Sequence, residues 1–235
     1  KYSFIVNFTV RNLVRSLYLA LPVMLGTSVN QINQIIDRTI ASNIVIGGIS
    51  ALNYANRLNL FIQGIFVVSI ATVLYAEISK KSTKGDLNGI KKTMNTSIIG
   101  VTFIVLPITV GTMVLSKPIV EFLFARGAFD DEAILYTSSA LFFYSIGMIG
   151  FGLREILSRV FYSFQDTKTP MINAIVGVIL NIILNIILSR YLGIGGLALA
   201  TSIAAIFTTA LLFISLRKKM GVLGMKQISI SFSKI

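Results

Sequence analysis

The chain has 235 residues, of which 54% are hydrophobic and 13% charged, with no Cys, His or Trp and a mean hydropathy of +0.82. So low a charge content excludes a soluble globular enzyme, a disordered tail and a disulfide-rich secreted module, and the lack of Cys and His removes the commonest metal and nucleophile chemistry. Lys and Arg outnumber Asp and Glu by 21 to 9, a net charge of +12; in a chain this apolar the surplus belongs to cytoplasmic loops, not to a nucleic-acid surface.

A membrane-spanning helix needs about 20 mostly apolar residues. Six uncharged windows have roughly that length: Ser16–Ile36, Leu58–Ala76, Ile98–Leu115, Ala133–Leu153, Met171–Ser189 and Tyr191–Leu216. Soluble core helices would each carry a charged outer face, and these windows have none. The expected fold is therefore an all-α polytopic membrane protein, a bundle of six transmembrane helices near 13–43, 47–79, 89–116, 130–164, 169–192 and 194–219. No internal domain boundary is visible, so residues 1–235 read as one membrane lobe. Lys1–Arg15 lacks a signal-peptide pattern, and the first residue is Lys. We expect a piece of a longer membrane protein.

Taken in order, helix one carries Asn30, Asn33, Gln34 and Asp37, whose spacings of three and four residues put them on one stripe. Gly47-Gly48 makes a tight turn into helix two, which begins with Ser50, Asn53, Asn56 and Arg57. Arg57 lies about 15 Å along that helix, too deep to reach the outer surface easily. An arginine at that depth on a polar stripe points to an anionic ligand, because the guanidinium binds phosphate through two hydrogen bonds. Asn59 and Gln63 continue the line inward.

Helix three follows the basic loop Lys80–Asn88. The next connection, Lys117–Phe129, reads as a loop. Asp130, Asp131 and Glu132 open helix four at the positive end of its dipole. Arg154 and Arg159, in the inner half of helix four, are placed to reach cytoplasmic headgroups. Thr169-Pro170 starts helix five, and helix five carries Asn181 and Asn185 one turn apart. Helix six adds Thr201 and the small-residue stripe Gly196, Ala200 and Ala204. Amide and hydroxyl oxygens suit a hard cation. Asp37, Asn181, Asn185 and Thr201 thus form a candidate cation site if helix one meets helix five; the competing reading is interhelical locking.

Loop charges orient the bundle. Lys1, Arg11, Arg15, Lys80, Lys81, Lys84, Lys91, Lys92, Lys168, Arg217, Lys218, Lys219, Lys226 and Lys234 fall on one side; Arg38, Lys117, Arg126 and Arg190 fall on the other. Both ends are accordingly expected in the cytoplasm.

Several runs together resemble one known family. They are Leu21-Pro22 with Gln31 and Asp37-Arg38-Thr39-Ile40-Ala41-Ser42, then Ile49 to Leu58 (ISALNYANRL), Gly64-Ile65-Phe66, Leu123 to Asp130 (LFARGAFD), and Arg154-Glu155 with Arg159 to Pro170 (RVFYSFQDTKTP). The combination resembles the MurJ (MviN) lipid II flippases of the multidrug/oligosaccharidyl-lipid/polysaccharide exporter superfamily. The resemblance implies that this chain is the second six-helix lobe, helices seven to twelve, of a two-lobe transporter in the bacterial inner membrane. It implies translocation of the undecaprenyl pyrophosphate-linked sugar-peptide precursor of peptidoglycan by alternating access, with no bond broken and hence no enzyme. Arg57 matches the functional arginine of the eighth helix, and Asn53 and Asn56 accompany it as substrate-binding candidates. A sodium ion is implied near Asp37, Asn181, Asn185 and Thr201. Implied partners are the anionic lipid-linked substrate, membrane lipids and the N-terminal lobe, without nucleic acid. The chain departs from the family pattern at Asn56, where an acidic residue is frequent, at Leu60, where some relatives carry Glu, and at Ala76, where Pro is common. Two other readings are an exporter of a different lipid-linked oligosaccharide or of drugs, and a non-transporting scaffold for cell-wall enzymes.

Overall fold

A computed structural model describes residues 11–221, with side chains from residue 20 onward. Every element among the described residues is helical. Helix α1 spans Arg11–Ile44 and passes through Pro22. A turn at Gly47, whose φ of 82° favours glycine, reverses the chain into α2, Gly48–Ile62. Gly48 is required for a different reason, since a Cβ there would lie 2.5 Å from the Ala41 carbonyl oxygen.

Helix α2 runs through a π-helical segment, Gln63–Val68, into α3, Ser69–Thr83, so that Gly48–Thr83 forms one span of 36 residues. That span is longer at its basic end than the expected 47–79. Asp86 caps α4, Leu87–Val114, by accepting from the Gly89 amide at 2.8 Å. Asp130 caps α6, Asp131–Ser163, in the same way through the Ala133 amide at 2.9 Å.

The stretch 117–129 is not a plain loop. It contains the short helix α5, Ser116–Phe124. Its Phe124 packs with Tyr54 and Phe129, ring centroids 4.7 and 5.8 Å away, so aromatic packing onto α2 supplies what local propensity does not.

Helix α7 covers Lys168–Met220, 53 residues, but Gly193 at φ 56°, ψ −131° breaks it into 168–192 and 194–220. The halves fold back as an antiparallel hairpin, pinned by Asn173 donating to Ser215 at 3.3 Å and Asn181 donating to Thr201 at 3.2 Å. Four described helices are long and apolar enough to cross a membrane, and α7 supplies two crossings once bent. With α1, long enough but rich in amides, the described residues form the expected six-helix all-α bundle.

Helix α6 is the axis. Of its most apolar window 61% is buried, against 22–33% in the other three candidate spans. It packs against α2, α3, α4, α5 and α7. One core cluster joins Ile78, Ile90, Met94, Ile156, Leu157 and Leu216 at the basic end, and another joins Ala41, Leu52, Val120, Leu141 and Leu197 at the opposite end. Between them α6 meets the second half of α7 at backbone distance. A Cβ on Gly147 would stand 2.7 Å from the Ser202 Cα, and one on Gly150 would stand 3.0 Å from the Ile206 nitrogen. Small residues permit this approach, and Ser202 and Thr209 exploit it by donating to the Phe143 and Gly150 carbonyls, both at 2.7 Å. Outward-facing Phe103, Val110, Ile179, Ile183 and Ile187 leave an apolar periphery suited to lipid.

Candidate polar cleft and cation site

Three elements bring polar side chains into the interior. On α1 the helical period aligns Asn30, Asn33 and Asp37. On the first half of α7, Asn173, Gly177, Asn181 and Asn185 recur every fourth residue, and all four are buried. On the second half, Thr201 faces them across the hairpin. Gly177 is small because the Thr208 hydroxyl occupies the space a Cβ would need.

The predicted cation-site residues meet. Asn185 donates to Asp37 Oδ1 at 2.5 Å and to Asn181 Oδ1 at 2.9 Å, while Asn181 donates to Thr201 Oγ1. Thr201 in turn donates to the Leu197 carbonyl at 3.0 Å. Asp37 is only 6% exposed and Asn185 fully buried. Asn185 Oδ1 is buried without a hydrogen-bond partner. The contact of α1 with α7, an assumption at the level of sequence, is thus real.

Sequence reasoning missed Tyr144 of α6. It is 4% exposed and lines the same cleft as Asp37 and Thr201. A tyrosine inside an uncharged helical run was the available signal, because a buried phenol needs a polar partner.

These groups border a cleft of about 260 Å³, lined by Asn30, Asn33, Gln34 and Asp37 of α1, by Asn56, Asn59 and Gln63 from the second span, and by Tyr144, Arg154, Asn181 and Thr201. Asn59 accepts from Gln63 at 3.1 Å where the π-helical segment begins. A small adjoining cleft of about 30 Å³ contains Asp37, Asn53 and Asn56. Of the proposed substrate-binding residues, Asn53 and Asn56 therefore sit beside Asp37. Arg57 lines none of these clefts and is exposed. Successive helical residues point about 100° apart, so Arg57 looks away from the face that Asn56 presents.

Arg154 lines both the 260 Å³ cleft and a neighbouring one of about 220 Å³. Arg159, by contrast, pairs with Glu155 at 2.9 Å.

The family profile described as "Lipid II flippase MurJ" matches residues 2–235. The chain belongs to the MurJ family. It is 40% identical over 195 residues to a probable lipid II flippase MurJ of Vibrio cholerae serotype O1, covering 83% of this chain and 37% of that protein. It is 35% identical over 205 residues to a probable lipid II flippase MurJ of Rhizobium meliloti, covering 87% and 38%. The chain thus spans less than two-fifths of the length of these two MurJ relatives. Among solved structures, a lipid II flippase MurJ in the inward closed conformation superposes with a TM-score of 0.78 at 33% identity, over 99% of this chain and 50% of that one. A Vibrio cholerae MATE transporter in its bent form superposes with a TM-score of 0.77 over 93% of this chain and 50% of that one; at 19% identity it shares the fold alone. This chain has the fold of one lobe of a two-lobe MurJ-type transporter.

Proposed function

We propose that this chain is the second lobe of a flippase that carries lipid II, a lipid-linked pyrophosphate sugar-peptide, from the inner to the outer leaflet of the bacterial cytoplasmic membrane. The observation that supports this most is the amide-rich cleft inside an otherwise apolar MurJ-family bundle. Buried polar groups in a membrane are costly and persist where they face a wet path or a ligand. Transport by alternating access breaks no covalent bond, so the protein acts as a carrier and not an enzyme. In this reading both ends of the segment lie in the cytoplasm, which the Lys and Arg bias of the loops supports. The N-terminal lobe of the same protein closes the other side of the cavity, and the surrounding partners are membrane lipids.

In this reading Arg57 faces the N-terminal lobe across the central cavity and meets the substrate pyrophosphate. Its exposure in the isolated lobe agrees with this role, and Asn53 and Asn56 hold the neighbouring polar wall. A sodium ion fits the Asp37 cluster. One carboxylate, two amides and a hydroxyl offer hard oxygen donors, and Asn185 Oδ1 is a buried acceptor still without a partner. An all-oxygen set with a single carboxylate suits an alkali cation better than a transition metal. When bound, the ion would neutralise Asp37 and tie α1 to both halves of α7.

The test is Arg57→Ala in the full-length protein. It should abolish complementation of a flippase-depleted strain while membrane levels stay normal; full rescue would remove Arg57 from the mechanism.

A further inference from the structure

The second span changes neighbours part-way along its length. Its first part, α2, buries Ala51, Leu52 and Ala55 in the core cluster shared with Val120, Leu141 and Leu197. Its last part, α3, buries Leu74 and Ile78 in the separate cluster shared with Ile90, Met94 and Ile156. The π-helical turn Gln63–Val68 joins the two. Val67 is the one buried residue of that turn, and it belongs to the α3 cluster. A Cβ on Gly152 of α6 would stand 3.2 Å from a Val67 methyl carbon, so the contact is close. A Cβ on Gly64, by contrast, would meet nothing within 4 Å, so packing does not demand a glycine there.

A π-helical turn closes i→i+5 hydrogen bonds in place of i→i+4, so it amounts to one residue inserted into an α-helix. Both edges keep ordinary α geometry: Ile62 has φ −60°, ψ −46° and Ser69 has φ −61°, ψ −50°. A widened turn inside a bilayer leaves backbone groups short of partners, and nearby hydroxyls make up the difference. Ser69 donates to the Ile65 carbonyl and Thr72 to the Val68 carbonyl, both at 2.8 Å. At the first edge Gln63 donates its side-chain amide to the buried Asn59 at 3.1 Å, and both residues border the polar cleft. Bulges of this kind are where helices bend. This one lies between two cores, not within either, so it can change its turn without opening them.

We infer that Gln63–Val68 is a hinge, at which α2 with Asn53, Asn56 and Arg57 swings against an α3 held fast by α4 and α6, and that the Asn59–Gln63 bond sets its resting position. The inference rests on the transporter reading above for the use of the motion; the hinge itself belongs to this chain.

The experiment uses the full-length transporter in lipid vesicles, with spin labels on Ile49→Cys and Ala76→Cys, exposed positions on either side of the turn. Pulsed electron paramagnetic resonance should resolve two label distances in the otherwise unaltered protein. Deleting Gly64, which has no side chain to lose, should close the turn into continuous α-helix. That variant should unfold within about 4 °C of the wild type, show one distance and fail to complement a flippase-depleted strain. Deleting Val73 is the control: it rotates Leu74 and Ile78 by about 100° out of their core and should prevent folding. If the Gly64 deletion does not fold either, Gln63→Met decides. It removes the bond to Asn59 at nearly constant length, and the ratio of the two distances must change about twofold to tenfold, the scale of one hydrogen bond. A single distance in the wild type overturns the hinge. So does a folded Gly64 deletion that keeps both distances or complements fully, and so does an unchanged ratio in Gln63→Met. The transporter reading fails separately, through full rescue by Arg57→Ala, and that result leaves the distance measurement standing.

Discussion

Asn185 donates its side-chain amide to Asp37 at 2.5 Å, joining the first half of α7 to α1 across 148 positions of sequence. The contact leaves Asn185 Oδ1 buried and without a partner. A cation entering between the two side chains would satisfy that oxygen and the Asp37 carboxylate together. Replacing Asp37 by Asn should therefore eliminate the sodium-dependent rise in unfolding temperature of the full-length protein, while leaving its unfolding without sodium near the wild-type value. An identical sodium response in the variant would reject the site.

Tyr144 of α6 borders the same cluster, its hydroxyl on the cleft that Asp37 and Thr201 also line. Tyr144→Phe removes one hydroxyl and little volume. One hydrogen bond contributes about 0.5–1.5 kcal/mol net. The sodium concentration for half-maximal stabilisation should accordingly rise between about twofold and tenfold, with expression and oligomeric state unchanged. A sodium titration that superimposes on the wild type would limit Tyr144 to packing.

Gly147 sets the closest approach of α6 to the second half of α7. Gly147→Val forces its new atoms into Ser202, whose Cα would lie 2.7 Å from the Cβ alone. Overpacking of this kind costs about 1–3 kcal/mol, and the Ser202 bond to the Phe143 carbonyl is lost with it. The expected result is a clearly lower unfolding temperature. Gly100→Ala is the control: a Cβ there meets nothing within 4 Å, and removing a helical glycine stabilises by about 0.5–1 kcal/mol. Equal effects from the two substitutions would contradict this account of the interface.

Asp166, in the short connection before α7, gives a pH prediction. Partial burial raises its pKa, but hydrogen bonds from Lys219 and from the Thr169 backbone and side chain outweigh burial, so its carboxyl titrates below the ordinary 3.8. A lowered folded-state pKa means that the ion stabilises the fold above the unfolded value, and that this contribution fades as pH falls from about 3.8 through the folded value. The pair is partly exposed, so its electrostatic contribution is small, within about 1 kcal/mol. Asp166→Asn should lower the unfolding temperature at neutral pH and flatten its decline below pH 4. A variant curve parallel to the wild type across that range would dismiss the pair.

Much of this protein is written locally. The spans are legible because about 20 uncharged residues can satisfy their backbone polar groups only as helices within a bilayer. The stripe Asn181–Asn185 is legible because a period near four places both on one face. The caps at Asp86 and Asp130 depend on residues three positions away. Other features have no local cause. The short α5 forms where Phe124 finds Tyr54. Arg57 and Asn56 are adjacent in sequence yet face differently, and which of them borders the cleft depends on how α2 rotates against α6.

Sequence alone therefore determined the class of the molecule, the number of its long helices and the residue types able to hold a cation, since all three follow from periodicity and transfer energies. Tertiary structure alone decided that Asp37 reaches Asn185, that Tyr144 borders them, and that Arg154 lines both larger clefts. Those outcomes depend on how α1 and α6 each pack on α7: Gly147 and Gly150 set the approach of α6, and the Asp37–Asn185 bond ties α1, all between residues far apart in the chain.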